Sequence, residues 1–367
     1  MSEFIENKAR PQIFNLKPYV PGKPIEEVQR ELGIDDIIKL ASNENPLGPS
    51  PLGKKAYSEA VDKLHIYPDA NCFRLKQKLS ELLDCDPQGL LVGNGSDELL
   101  KLLAETFLNP GDEIVFAQPS FAEYEFTATI MGATSVKVPL VDFKHDLKAM
   151  LAAINPRTKM VYICNPNNPT GTIVTAEEID SFMAQVPQDV LIVFDEAYYE
   201  YVESPAYASG IKYVKDGRNA VVLRTFSKIY GLAALRVGYG ITTPAIAAAV
   251  ERVTEPFNVN VPAQVAATAA LNDKEHLEQS RKVNQAGKNY LYEEFEKLQL
   301  KYLKTNANFI FVDTAKDSQE VFQGLLKQGV IIRSGDIFGY PTYIRVTVGN
   351  EKENVRFIAG LKKILGA

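Results

Sequence analysis

From residue 90 to 241 short apolar runs alternate with amphipathic stretches. "LLVGNGS" leads into "DELLKLLAETFL", and "DEIVFAQPS", "TSVKVPL", "KMVYICNPNNPTG", "DVLIVFDEAYYE", "NAVVLRTFSK" and "RVGYGIT" follow in turn. Runs rich in β-branched and aliphatic residues, closed by turn formers and separated by helical patterns, predict strands buried on both faces, hence a mostly parallel sheet. The layer architecture expected is α/β.

The flanking text reads differently. Up to residue 44 it is rich in Pro and Gly ("LKPYVPGKP", "ASNENPLGPSP"), an arm of loops around a short helix "IEEVQRELG". From residue 258 onward come long helical patterns, "PAQVAATAALN" and "DKEHLEQSRKVNQAGKNYLYEEFEKL", then "NFIFVD", "SQEVFQGLLKQG", "VIIRSG", "YIRVTVG" and a terminal helix "NEKENVRFIAGLKKIL". This mix predicts a smaller α+β domain from residues 1–44 and 258–367 beside a large domain of residues 45–257. No repeat period appears.

Composition narrows the partners. The 367 residues are 46% apolar and 23% charged, with a net charge of −6 and acids and bases interspersed, so no basic face for nucleic acid or membrane is expected. Cys72, Cys85 and Cys164 lack C-x-x-C spacing, which suits a reducing compartment. "MSEFIENKARP" lacks the apolar core of a secretory signal, and "PAIAAAVERV" is too short to span a bilayer. A cytoplasmic, soluble chain is expected. His65, His145 and His276 show no metal spacing, and H-E-x-x-H and G-x-S-x-G are absent, so metal or serine hydrolysis is not indicated.

In open α/β sheets ligands bind beyond the carboxyl ends of the strands, and four of these ends carry unusual chemistry. Gly95, Ser96 and Asp97 open a helix after "LLVG"; the residues fit an anion cup as well as an ordinary N-cap. "NPNNPTG" follows "KMVYIC" and can hold the amide of Asn165 or of Asn168 at the sheet edge. Asp195 ends "DVLIVF", and a carboxylate there needs a cation or several donors against its desolvation. After "NAVVL", the stretch "TFSKIYGLAALRVGYG" supplies Thr225, Ser227, Lys228 and Arg236. A lysine in apolar surroundings loses basicity and becomes able to form imines, while Arg236 and the hydroxyls suit a phosphate. Together these groups specify pyridoxal 5′-phosphate, whose ring nitrogen wants an acid and whose aldehyde wants an amine.

In this order the motifs resemble the fold-type I, class I/II aminotransferases over essentially the whole chain, and "PYVPGKP", "LASNENPLGPSP" and "IRVTVG" look like the histidinol-phosphate aminotransferase family. The resemblance implies a large domain with a mostly parallel sheet plus a smaller α+β domain. It implies that Lys228 carries the cofactor as an imine and moves the proton, that Asp195 keeps the pyridine nitrogen protonated, and that Tyr198 and Asn168 bond the phenolic oxygen. Gly95, Ser96, Thr225, Ser227 and Arg236 would hold the phosphate, and Asp97 would be part of the cofactor site. Phe121, in "QPSFAEY", would stack on the ring where the family often has Tyr, without that hydroxyl. Tyr67, in "HIYPDA", would reach the cofactor of a neighbouring subunit, making a homodimer part of the site.

For substrate the resemblance implies Arg345, within "YIRVTVG", with Arg333 of "VIIRSG" as a second cation that could equally pair with Asp336. One arginine pair could take the phosphate of histidinol phosphate and the carboxylates of glutamate or 2-oxoglutarate in turn. Tyr19 and Asn43 of the N-terminal arm would close over the substrate. An aromatic aminotransferase or a related decarboxylase would use the same Lys228 and Asp195 with another substrate wall. A non-catalytic ligand sensor of this fold would need a DNA-binding module for which the N-terminus offers no room.

Overall fold

In a computed structural model that describes residues 2–16 and 22–366, the apolar runs form one seven-stranded sheet. Its strands are β1 (Leu90–Gly93), β2 (Glu113–Gln118), β3 (Thr134–Pro139), β4 (Thr158–Cys164), β5 (Leu191–Asp195), β6 (Ala220–Thr225) and β7 (Gly238–Ile241). The spatial order is β1-β7-β6-β5-β4-β2-β3. All neighbours are parallel except β7, which runs antiparallel to both β1 and β6. The expectation of a mostly parallel sheet holds.

Alternation along each strand sends side chains to two separate cores. Val161, Ile163, Ile192, Phe194 and Val222 pack on one face with Leu75, Leu79 and Phe182. Met160, Tyr162, Val193, Val221 and Leu223 pack on the other with Leu99, Leu100 and Leu103 of the helix Ser96–Phe107. Burial on both sides is why these strands read as unbroken apolar runs. The first core extends past residue 257, for Ala263, Ala266, Ala267 and Ala270 of the helix Val261–Ala270 belong to it.

A four-stranded sheet lies in the C-terminal region, with β8 (Lys301–Tyr302), β9 (Phe309–Asp313), β10 (Arg333–Ser334) and β11 (Tyr343–Thr347) in the order β10-β11-β9-β8. Ile310, Val312, Ile344 and Val346 form a core with Leu291, Phe295, Phe357 and Leu361 of the flanking helices. Strand alternation therefore places Phe309, Phe311, Arg345 and Thr347 on the opposite face. Ile38 and Lys39 pair in parallel with Val330 and Ile331. That pairing is a separate two-stranded sheet, and the Thr347 N–H donating to the Leu40 carbonyl ties the N-terminal segment to the four-stranded one and sets residues 40–45 at the site. The short helices Glu3–Lys8 and Pro11–Asn15 had no counterpart in the expected pattern. Among the described residues no helix is long and apolar enough to cross a membrane.

Candidate active site

Lys228 follows β6 and is partly buried. Its Nζ donates to the Ser42 carbonyl at 3.1 Å and lies 5.8 Å from the Tyr198 ring centre. Burial, and then the positive charge of Arg345, lower its pKa to about 8. A neutral, nucleophilic amine is thus accessible near physiological pH.

Asp195 closes β5 at 4% exposure. Tyr124 Oη donates to its Oδ2 at 2.6 Å and the Ala197 N–H to its Oδ1 at 3.2 Å. Burial pushes the carboxyl up to about 6 against those donors. Two donors leave a carboxylate room to accept from a further cationic N–H. The backbone carrying it is fixed from behind by Glu196, whose Oε2 accepts from Arg224 Nε at 3.0 Å and Nη2 at 2.8 Å, with both side chains 2% exposed. Tyr199 covers that guanidinium, 3.5 Å from its ring centre, and the Gly210 N–H donates to Glu196 Oε1 at 2.7 Å.

At the mouth of β1, Gly95 takes φ +84° and caps the helix Ser96–Phe107. A Cβ on Gly95 would lie 2.7 Å from Arg236 Nη2, and one on Gly238 would lie 2.5 Å from the Ser96 nitrogen. Glycine at both positions lets the helix start, β7 and Arg236 close into one cradle. Arg236 Nη1 donates to Ser227 Oγ at 3.4 Å and Nη2 to Asp97 Oδ2 at 2.9 Å. The Asp97 carboxylate thus lies on Arg236. The Ser227 N–H donates to Thr225 Oγ1. Backbone N–H groups at a helix start, a guanidinium and hydroxyls make a seat for a phosphate.

The two asparagines use their amides differently. Asn165 spends its amide within its own turn, bonding both the N–H and the carbonyl of Val174. Asn168 Oδ1 accepts from Arg345 Nη1 at 2.5 Å. Arg345 Nη2 donates to the Ala41 carbonyl at 2.6 Å, and its guanidinium lies 5.3 Å from the Phe309 ring centre. Arg333 stands directly opposite Arg345 on the β10–β11 ladder, so two like charges share one face, a placement that favours an intervening anion. The alternative partner, Asp336, accepts instead from Ser334 and Gln319.

Tyr198 is buried, its phenol pushed up by desolvation, and Asn43 Nδ2 donates to its oxygen at 2.9 Å. Asn43 is itself 1% exposed and exchanges hydrogen bonds with Thr347. It braces Tyr198. Phe121 sits edge-on to Tyr124 with ring centres 5.9 Å apart. Tyr67 is not drawn in: it is 79% exposed and stacks on Phe257 at 4.7 Å. Tyr19 lies outside the described residues. Tyr124, Ser42, Ala41 and Thr347 are contacts that the sequence reading missed. Tyr124 lies three residues after Phe121, on the helix Glu123–Met131, with no local spacing that ties it to Asp195.

A lysine of lowered basicity, a strand-end acid with spare acceptor capacity and a phosphate cradle converge at the sheet's carboxyl edge, facing a second sheet that presents two arginines. Such a site can hold a phosphorylated pyridine aldehyde covalently and admit an anionic amine beside it.

A family model described as aminotransferase class I and II matches residues 35–361. The chain is 59% identical to histidinol-phosphate aminotransferase of Moorella thermoacetica over 359 residues, 98% of this chain and 93% of that protein. It is 49% identical to the protein of the same name from Caldicellulosiruptor saccharolyticus, covering 97% of this chain and 99% of that one. Among solved structures, histidinol-phosphate aminotransferase from Sinorhizobium meliloti in complex with pyridoxal-5′-phosphate superposes with a TM-score of 0.90 at 28% identity, covering 98% of each chain. Aspartate aminotransferase from Thermus thermophilus with maleate, at 22% identity and a TM-score of 0.82, covers 97% of this chain and 99% of that one and shares the fold.

Proposed function

Because the chain belongs to the class I and II aminotransferases and, within them, to the histidinol-phosphate aminotransferases, we infer that it moves an amino group between L-histidinol phosphate and 2-oxoglutarate. The products are imidazole-acetol phosphate and glutamate, and the setting is histidine biosynthesis. The cofactor is pyridoxal 5′-phosphate, which supplies an electron sink when bound. The observation that carries the reading onto this chain's own residues is the convergence of Lys228, Asp195 and Arg236 at one sheet edge.

Lys228 Nζ would hold the cofactor covalently and, once released, carry a proton to and from the reacting carbon. Asp195 would accept from the ring nitrogen. Asn168 and Tyr198 would reach the phenolic oxygen, and Phe121 would cover the ring. The phosphate would rest on Gly95, Ser96, Thr225, Ser227 and Arg236, with Asp97 orienting the guanidinium. Arg345 and Arg333 would receive the substrate's phosphate or carboxylate, whose bidentate geometry either fork matches.

A second copy of the chain completes this reading. Tyr67, Leu64, Ile66 and Phe73 are each more than half exposed, and Phe257 beside Tyr67 is 43% exposed. Apolar surface of that kind marks an association face, and Tyr67 would enter the neighbouring site. The chain would work in the cytoplasm.

Two measurements check these roles. When pyridoxal 5′-phosphate is added to cofactor-free protein, the rate of attachment should rise with pH to a midpoint near 8, the value for Lys228, and level off above it. A midpoint near that of a free lysine would remove the amine from its dry setting. The loaded protein should be yellow and should bleach with histidinol phosphate much faster than with phenylalanine, tyrosine or aspartate. Preference for an amino acid would move the reaction to an aromatic or aspartate donor.

A further inference from the structure

Tyr124 is a fully buried phenol whose hydroxyl donates to Asp195 Oδ2 at 2.6 Å and also lies against the Cys164 thiol. The ring is held on three sides: stacked on Tyr162 at 4.5 Å and 12°, and edge-on to Phe116 and Phe121, each at 5.9 Å. Its hydroxyl is therefore aimed by packing of the helix Glu123–Met131 against the sheet. Burial and the neighbouring acid raise the phenol well above its ordinary value, so the proton stays on Tyr124 and Asp195 is the acceptor.

We propose that Tyr124 is a positioning residue for Asp195, holding one carboxylate oxygen and keeping the group ionised so that its remaining lone pairs can receive the cofactor's ring N–H. The proposal rests on reading Asp195 as the partner of the ring nitrogen. Few other groups near Asp195 help it stay charged. Cys164, its neighbour on β4, is a buried thiol pushed up to about 12. Asp97 and Glu196 are acids whose charges oppose ionisation. Tyr198 is a neutral buried phenol, and Leu223 faces it from β6. Against them stand the Ala197 N–H and the Tyr124 hydroxyl, of which the hydroxyl contributes more. A donor to a carboxylate favours its charged form.

The test reads the stability of the full-length, cofactor-free chain against pH. Asp195 titrates near 6 when folded and near 3.8 otherwise. The folded chain binds the extra proton between those values, so this group's contribution to stability falls as pH rises through that window and then levels off. In Tyr124→Phe the carboxyl holds its proton to higher pH, so the fall continues further. The melting-temperature gap to the unaltered chain should widen between pH 5 and 8, on the order of a degree or two per unit of midpoint shift. In an Asp195→Asn background the same substitution should give a gap that does not change with pH. Binding of pyridoxal 5′-phosphate should weaken roughly tenfold in Tyr124→Phe, the loss of one charge-assisted hydrogen bond. A constant gap at every pH, or unchanged cofactor binding, overturns the proposal and assigns Tyr124 to packing alone. The melts contain no cofactor, so that result would leave the amino-transfer reading standing. Failure of histidinol phosphate to bleach the loaded protein would in turn leave the melts intact.

Discussion

Lys228→Ala is expected to abolish covalent attachment of the cofactor and to reduce turnover by roughly 10^4-fold or more, the scale set by losing both a nucleophile and a positioned proton carrier. The fold should persist, since among the described residues the lysine side chain makes one hydrogen bond, to the Ser42 carbonyl. Phosphate-borne binding should persist too, because Arg236, Ser227 and the helix start at Ser96 are untouched. Borohydride reduction followed by peptide mapping reads the attachment directly: a pyridoxyl group on the peptide containing residue 228 in the unaltered protein and none in the variant. A pyridoxyl group found on another lysine, with turnover intact, would end the assignment.

Arg345→Ala should leave the attachment as it is and weaken both substrates. Removing one partner from a desolvated charged contact costs about 2–5 kcal/mol, which amounts to roughly 30-fold to a few thousand-fold in kcat/KM. The loss should appear with glutamate and with histidinol phosphate alike, since in the proposed reading the single face bearing Arg345 and Arg333 would serve both. Arg345 also donates to Asn168, so part of the effect would run through the amide proposed to border the cofactor. Steady-state kinetics with the two donors decide the matter. If glutamate kinetics were unchanged in the variant, the carboxylate would have to be received elsewhere.

The sequence shows the large sheet because its strands are buried on both faces and so carry unbroken apolar runs; β4, β5 and β6 stand where "KMVYIC", "DVLIVF" and "NAVVL" put them. Asp195 and Lys228 stood out because a charge at the end of such a run is costly without a purpose. Arg345 stood out as a cation within an apolar alternating strand whose core-facing members are Ile344 and Val346. Contacts between distant segments were out of reach. Asn43 and Tyr198 are 155 positions apart, and Tyr124 and Asp195 are 71 apart; neither pair leaves a local spacing. Asn165 and Asn168 carry the same residue type in one motif, and only the backbone of Val174 separates their jobs. Tyr67, stacked on the surface against Phe257, gives no signal within one chain of what it would cover.

Asn43 must satisfy two demands that few side chains meet together. Its backbone sits at φ +58°, a region that asparagine visits at small cost and branched residues at a large one, while its amide accepts from Thr347 and donates to Tyr198. Glycine would meet the first demand and forfeit the second, aspartate would supply an acceptor without the donor, and glutamine would carry its amide one methylene too far. The repertoire tolerated at this position is accordingly narrow, although Asn43 itself need touch neither substrate nor cofactor.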